Sequence, residues 1–158
     1  MTKIKQIRIE KKMRQIDVTA RCGLMQSQYV NFERYFDPVN LPLKTICKIA
    51  KGLDVKIWDV FDDESIIKKL HEVDEYETGI LLDGVKSPIA EIREICGSTQ
   101  TQISNKSKIT QSQICKWEHC GMDGAKVKNF IDIANALHVN IRLLIWDSDL
   151  QNLYNEVT

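Results

Sequence analysis

Met25-Gln26-Ser27-Gln28-Tyr29-Val30-Asn31-Phe32-Glu33-Arg34 is the stretch from which the rest of the chain is read. Its apolar residues, Tyr29, Val30 and Phe32, fall on one side of a helix. Gln26, Ser27, Gln28 and Asn31 form a polar row on the other. That division predicts a short helix with one face in a core and one presented outward. Gln and Asn each offer a donor and an acceptor together, the pairing adenine presents in the major groove. The stretch returns 85 residues later as Thr110-Gln111-Ser112-Gln113-Ile114-Cys115-Lys116-Trp117-Glu118-His119. Gln-Ser-Gln is unchanged, the apolar side returns with altered side chains, and Glu33 returns as Glu118. A merely solvated face has no reason to keep the same three polar residues twice. The pattern reads as a DNA-reading helix present twice.

Upstream, Thr2 is placed to cap a first helix through about Lys12, with Ile4, Ile7 and Met13 inward. Arg8 sits among these apolar positions, unusual for a surface charge. Gln15 opens a second short helix through Cys22, with Val18, Thr19 and Cys22 inward. Gly23 supplies a left-handed helix end and Leu24 is the inward residue of the turn. Two short helices joined by a Gly-containing turn read as helix-turn-helix.

Downstream, Tyr35-Phe36-Asp37-Pro38-Val39-Asn40-Leu41-Pro42 is a loop, because its two prolines exclude a regular helix. Leu43, Ile46, Cys47, Ile49, Ala50 and Leu53 recur at helical spacing and predict a fourth helix ending near Gly52. Val55, Ile57, Trp58, Val60 and Phe61 mark a fifth. Residues 1–62 thus read as one small helical domain. Residues 63–86 form an acidic connector, helical from the Asp62–Ser65 cap to about Tyr76, with Ile66, Ile67, Leu70 and Val73 on one side. Thr78-Gly79 breaks it, and Ile80-Leu81-Leu82 is ambiguous.

Ser87-Pro88 is a clear helix start, a capping residue followed by proline at the first helical position. A second domain, 87–147, follows from there. Between 7–34 and 92–119, seven of 28 positions are identical: Ile7, Arg8, Gln15, Gln26, Ser27, Gln28 and Glu33. Six of the seven are polar, the reverse of what a shared core alone would leave. After a loop one residue shorter, Ile133, Ala134, Leu137, Val139 and Ile141 match Ile49, Ala50, Leu53, Val55 and Ile57. The repeat unit is a whole domain and not a solenoid module. In the tail, 148–158, Leu150, Leu153, Tyr154 and Val157 are spaced for one more short helix.

Charge is uneven along a chain whose formal net charge is zero. Residues 1–62 hold twelve Lys/Arg against seven Asp/Glu, residues 63–90 three against seven, and residues 91–158 seven against eight. Attraction to phosphates would rest mainly on the first part. No stretch approaches the roughly 18 apolar residues of a membrane span, and the first residues have no signal-type apolar region, so a cytoplasmic protein is expected. The five cysteines include no pair spaced by two residues, which argues against a disulfide framework. Cys115, His119 and Cys120 crowd together without the paired spacing of a zinc site, so no metal is expected. There is no glycine-rich phosphate loop, and His71, His119 and His138 sit in no nucleophile motif. The expectation is a non-enzymatic protein without cofactor or small-molecule substrate.

Both halves resemble the phage repressor/Cro-type helix-turn-helix domain, the XRE family, over nearly their full length. The resemblance implies an all-α chain: two tandem five-helix, lambda-repressor-like domains joined by a helical connector. It implies that Gln15 and Gln100, where the family has a glutamine opening its second helix, contact DNA phosphates. Gln26, Ser27, Gln28 and Asn31, and Gln111, Ser112, Gln113 and Lys116, fall on its base-contacting positions. Arg8 with Glu33, and Arg93 with Glu118, fall on its ion pair between the first and third helices, which accounts for an arginine on an apolar face. Arg14, Arg34 and Lys44 lie near the expected phosphate path in the first repeat, and Lys106, Lys108, Lys116, Lys126 and Lys128 in the second. Three departures are visible. Met25 replaces the usual Ser/Thr cap of the recognition helix, which Thr110 keeps; Lys108 stands at the turn glycine; Ser107 replaces an apolar core residue.

The expected function is sequence-specific binding to double-stranded DNA as a transcriptional regulator, most simply a repressor that occludes a promoter. Two domains on one chain would act as a pseudo-dimer on two half-sites about 34 Å apart. Adenine is the expected target of Gln26 or Gln111, and guanine that of Lys116. The rival is a protein-binding module of antitoxin or phage-regulator type. It would use one domain and the aromatic or apolar residues Tyr35, Phe36, Trp58 and Leu143-Leu144-Ile145-Trp146 on a protein partner, or on a second copy in a homodimer. The plainer reading of those residues is that they bury the domains against each other or against the connector.

Overall fold

A computed structural model describes residues 1–71, Leu82 and 85–158. The described residues form ten α-helices: α1 (Lys3–Glu10), α2 (Gln15–Cys22), α3 (Gln26–Tyr35), α4 (Leu43–Leu53), α5 (Glu64–His71), α6 (Pro88–Ile95), α7 (Gln100–Ser107), α8 (Gln111–Cys120), α9 (Val127–Leu137) and α10 (Ser148–Val157). Three short 3-10 segments, Pro38–Asn40, Ile57–Val60 and Ile141–Leu144, complete the order. No strand occurs among the described residues. The expected continuation of α5 through Val73 to Tyr76, the break at Thr78-Gly79 and the Ile80-Leu81 stretch lie outside them.

Local chemistry sets most of the helix ends. The Thr2 hydroxyl accepts from the Lys5 amide at the start of α1. Asp63 accepts from the Ser65 amide before α5, and Asp147 accepts from the Leu150 amide before α10. Gly23 closes α2 with φ of 69°, and Lys108 closes α7 with φ of 59°. Asp54 and His138 hold the same left-handed position after α4 and α9.

Two details differ from the pattern expected of the sequence. The fifth helix of each half is a single 3-10 turn, Ile57–Val60 and Ile141–Leu144, because apolar residues within a four-residue segment do not distinguish a period of 3.6 from one of 3.0. α4 ends near Gly52 as expected, but the glycine's role is a different one. Gly52 is buried within the helix, where a Cβ would come within 2.8 Å of the Val18 carbonyl and 2.9 Å of Cys22 Cβ. The glycine lets α2 and α4 approach closely; the helix stops one residue later, at Leu53.

In the first half α2 packs on α4 and α3; in the second, α7 packs on α9 and α8. Tyr29, Ile4, Ile46 and Leu53 fill the first interior, and Phe130, Ile92, Ile103 and Ile114 the second. The buried apolar residues of both halves join in one cluster. The seam between them has a recognisable form. Leu43 N–H donates to the Ala125 carbonyl at 3.1 Å, and Val127 N–H donates to the Leu41 carbonyl at 3.0 Å. Pro42 and Lys126 face each other in the antiparallel bridge between these bonds. In the repeat, Leu41, Pro42 and Leu43 correspond to Ala125, Lys126 and Val127. Pro42 therefore meets its own counterpart, and the two flanking hydrogen bonds are exchanged by the repeat, as at a two-fold axis.

The last helix joins the two halves as well. Leu150, Tyr154 and Val157 of α10 are buried, the helix lies on α4, and Glu156 pairs with Lys51 at 2.8 Å. Nearer the start, α5 packs on Ile57–Val60 and His71 stacks on Trp58 with ring centroids 4.0 Å apart.

Candidate nucleic-acid interface

The two outward rows begin with two buried carboxylates. Glu33 on α3 has a side chain only 1% exposed, beside Arg8 on α1. Arg8 Nε donates to Glu33 Oε1 at 2.6 Å, and its Nη1 donates to the Met13 carbonyl at 2.9 Å. Gln15 Nε2, from the start of α2, donates to the other carboxylate oxygen at 2.5 Å. The Thr2 hydroxyl donates to the Glu33 carbonyl at 2.5 Å.

The second half makes the same bonds with its own residues. Arg93 Nε donates to Glu118 Oε1, and Arg93 Nη1 donates to the Ser98 carbonyl at 3.0 Å. Gln100 Nε2 donates to Glu118 Oε2 at 2.5 Å, and the Ser87 hydroxyl to the Glu118 carbonyl at 2.6 Å. The hydrogen bond that Arg93 donates to Glu118 raises the pKa of Arg93 above the usual guanidinium value. In each half a charge-assisted knot ties the third helix, α3 or α8, to the two helices before it.

Gln15 and Gln100 thus have a role that sequence reasoning missed. The phosphate contact expected of them would fall to the rest of a half-buried amide that already spends one N–H on a carboxylate. The available signal was the spacing: a glutamine stands eighteen residues before a glutamate in both repeats.

With Tyr29 and Glu33 buried, the opposite face of α3 points outward. Gln26, Ser27, Gln28 and Asn31 are all exposed. On α8, Ile114 and Trp117 are buried, Gln111, Ser112 and Lys116 are exposed, and Gln113 is half-buried. The Thr110 hydroxyl accepts from the Gln113 amide at 3.3 Å, capping α8; the Met25 side chain makes no such bond to α3. Lys108 takes the left-handed turn that Gly23 takes in the first half. The Ser107 hydroxyl is accommodated in the interior by donating to the Ile103 carbonyl at 2.7 Å.

The cationic candidates are unevenly placed. Lys44 and Lys128 occupy equivalent exposed positions in the first turns of α4 and α9. Arg34, Lys106, Lys108 and Lys126 are exposed as well. Arg14 is engaged with Asp17, its Nη2 2.9 Å from Oδ1, and this hydrogen bond holds the Asp17 carboxyl below the usual range. Beside α8 a groove of about 630 Å³ is lined by Gln113, Lys116, Lys126 and Asn129 among others.

The aromatic and apolar residues divide between interior and surface. Leu144 and Ile145 are buried, and Leu143 and Trp58 pack partly against the core. Trp146 lies over Gly121, and its amide donates to Asp123 at 2.9 Å. Tyr35 and Phe36 remain exposed, 75% and 43%, at the rim of a cleft of about 410 Å³. Cys115 is half-buried, and His119 Nδ1 lies 2.8 Å from the Cys115 carbonyl. Among the described residues no group of His, Cys, Asp and Glu gathers as a metal site.

No helix among the described residues is long and apolar enough to cross a membrane. No protein-family profile, curated protein or solved structure matches the chain.

Proposed function

We propose that this protein is a sequence-specific double-stranded-DNA-binding regulator, acting as a repressor by occupying a promoter. Its arrangement would be two tandem helix-turn-helix domains of repressor/Cro type, 1–62 and 87–147, with 63–86 as connector and 148–158 as tail. The observation that carries this reading is the repeated outward Gln-Ser-Gln on α3 and α8, each helix held by the same arginine–glutamate–glutamine knot. Exposed amides can pair bidentately with base edges, and a rigidly held helix keeps them in register with the duplex. Gln26, Ser27, Gln28 and Asn31 would read one half-site; Gln111, Ser112, Gln113 and Lys116 the other. Lys44, Lys128, Arg34 and Lys106 would position the protein on phosphates. Arg14 would first have to leave Asp17. The reading assigns no catalytic step, metal or cofactor.

A second reading draws on Tyr35 and Phe36, which stay exposed beside a cleft: the first half docks a protein partner. Selection of bound duplexes from a randomised DNA pool separates the two. Under the DNA reading, wild type enriches a two-part site and Gln26→Ala/Gln111→Ala loses it. Enrichment of one half-site only would leave a single half as the DNA reader. No enrichment at low salt would contradict the DNA reading and favour the protein partner.

A further inference from the structure

We propose that the open cleft of the first half receives a tryptophan side chain carried by an extended segment of a partner protein, which rests on the second reading above and not on DNA binding. The occupant is read from the repeat itself. In the second half, the loop after α8 and the segment after the 3-10 turn are bridged by the chain's own Trp146. Its indole lies on Gly121, where an added Cβ would come within 3.0 Å of Cε3. The backbone on either side is extended, with φ −83° and ψ 120° at Ile145 and φ −69° and ψ 126° at Asp147. The Trp146 and Asp147 amides donate to the Asp123 carboxylate at 2.9 and 3.1 Å. An extended segment thus presents one indole to the loop, and a carboxylate of the loop holds the segment's backbone.

In the first half both residues of this contact are exchanged. Phe36 stands at the position of Gly121, and Asp62 at that of Trp146. Asp62 turns to Lys3, 3.6 Å away, with its side chain 77% exposed. Phe36 packs edge-on against Phe32, with ring centroids 5.7 Å apart. Neither closes the gap. A cleft of about 410 Å³ remains between Tyr35 and Phe36 on one side and Val60 and Phe61 on the other. That volume is at the small end of ligand pockets, room for one large side chain and not for a helix. An indole there would meet two aromatic rings while keeping its N–H at the wet rim. Asp37 lines the cleft from the same loop and supplies the carboxylate that Asp123 supplies in the second half. Buried tryptophans are the side chains that most often anchor a protein interface.

The test selects binders to the full chain from two libraries of short displayed peptides, one with a fixed central tryptophan and one with a fixed central alanine. The tryptophan library is expected to yield binders that lose about tenfold or more in affinity when that tryptophan becomes alanine. Phe36→Gly/Asp62→Trp copies the Gly121–Trp146 pair and fills the cleft from within, so it should lose the same binders by about tenfold or more. Gln26→Ala/Gln111→Ala should keep them. Circular dichroism reports whether the filled variant folds, and Tyr35→Ala, at a side chain outside the core, should weaken the same binders about threefold or more. The proposal is overturned if binders are indifferent to their tryptophan, or if the folded filled variant or Tyr35→Ala binds as wild type does. Binders that enter the cleft through another side chain overturn the indole and leave the docking reading standing; no binder from either library removes that reading as well. Self-association of the chain that is lost in the filled variant would seat a second copy there and overturn the partner protein.

Discussion

Glu33 is a carboxylate with 1% side-chain exposure, and its partner Arg8 is 14% exposed. Burying such a pair costs each ion its hydration, and that cost is balanced only while both partners are present. Glu33→Ala is expected to destabilise the protein by about 3 kcal/mol, because it leaves a guanidinium and the Gln15 amide short of an acceptor. Urea denaturation followed by circular dichroism measures this, and a loss under ~1 kcal/mol would count against the knot as the anchor of α3. Glu118→Ala should cost less, since Glu118 and Arg93 are more exposed, at 8% and 19%. At the turns before α3 and α8 the expected signs are opposite. Lys108→Gly should stabilise by about 1 kcal/mol by relieving a left-handed lysine. Gly23→Ala should destabilise by a similar ~1 kcal/mol, with no steric term, since nothing lies within 4 Å of the added Cβ. The sequence alone marks Arg8 as an unusual charge on an apolar face; its pairing with Glu33 is implied by the family resemblance, and the two side chains do meet. The bond from Gln15 is less legible, because an exposed-looking glutamine carries no mark of what it donates to.

At the scale of elements, the helices follow from apolar spacing and end residues, while two neighbours in the chain mislead. A glycine near the end of an apolar run reads as a stop, but Gly52 is chosen by α2, which passes too close for a Cβ. That contact is distant in sequence and leaves no periodic trace. Gly52→Ala gains helix propensity yet overpacks the α2–α4 seam, so a net loss of about 1–2 kcal/mol is expected. A thermal melt that rises would contradict it. The second half has Ala136 at this position, buried in α9, so its α7–α9 seam already accommodates a Cβ. The 3-10 form of Ile57–Val60 was likewise hidden, because four residues are too few to set a period.

For the molecule as a whole, the repeat is plain in the sequence, but the way the halves meet is not. Nothing in the pattern of Leu41-Pro42-Leu43 or Ala125-Lys126-Val127 announces that these two segments pair with each other around Pro42 and Lys126. Nor does the tail reveal that α10 lies across α4 and ties Lys51 to Glu156. These contacts join two similar halves, so under the proposed DNA reading α3 and α8 would be held at a set distance from each other. A flexible tether would tolerate changes in half-site spacing; a rigid seam should not. The most direct measurement is affinity for the selected two-part site before and after inserting five base pairs between its halves, about half a helical turn. Binding should fall by at least tenfold, to that of a single half-site, and recover in part when about ten base pairs are inserted only if the seam opens. Affinity unchanged by the five-base-pair insertion would contradict simultaneous reading of DNA by both halves.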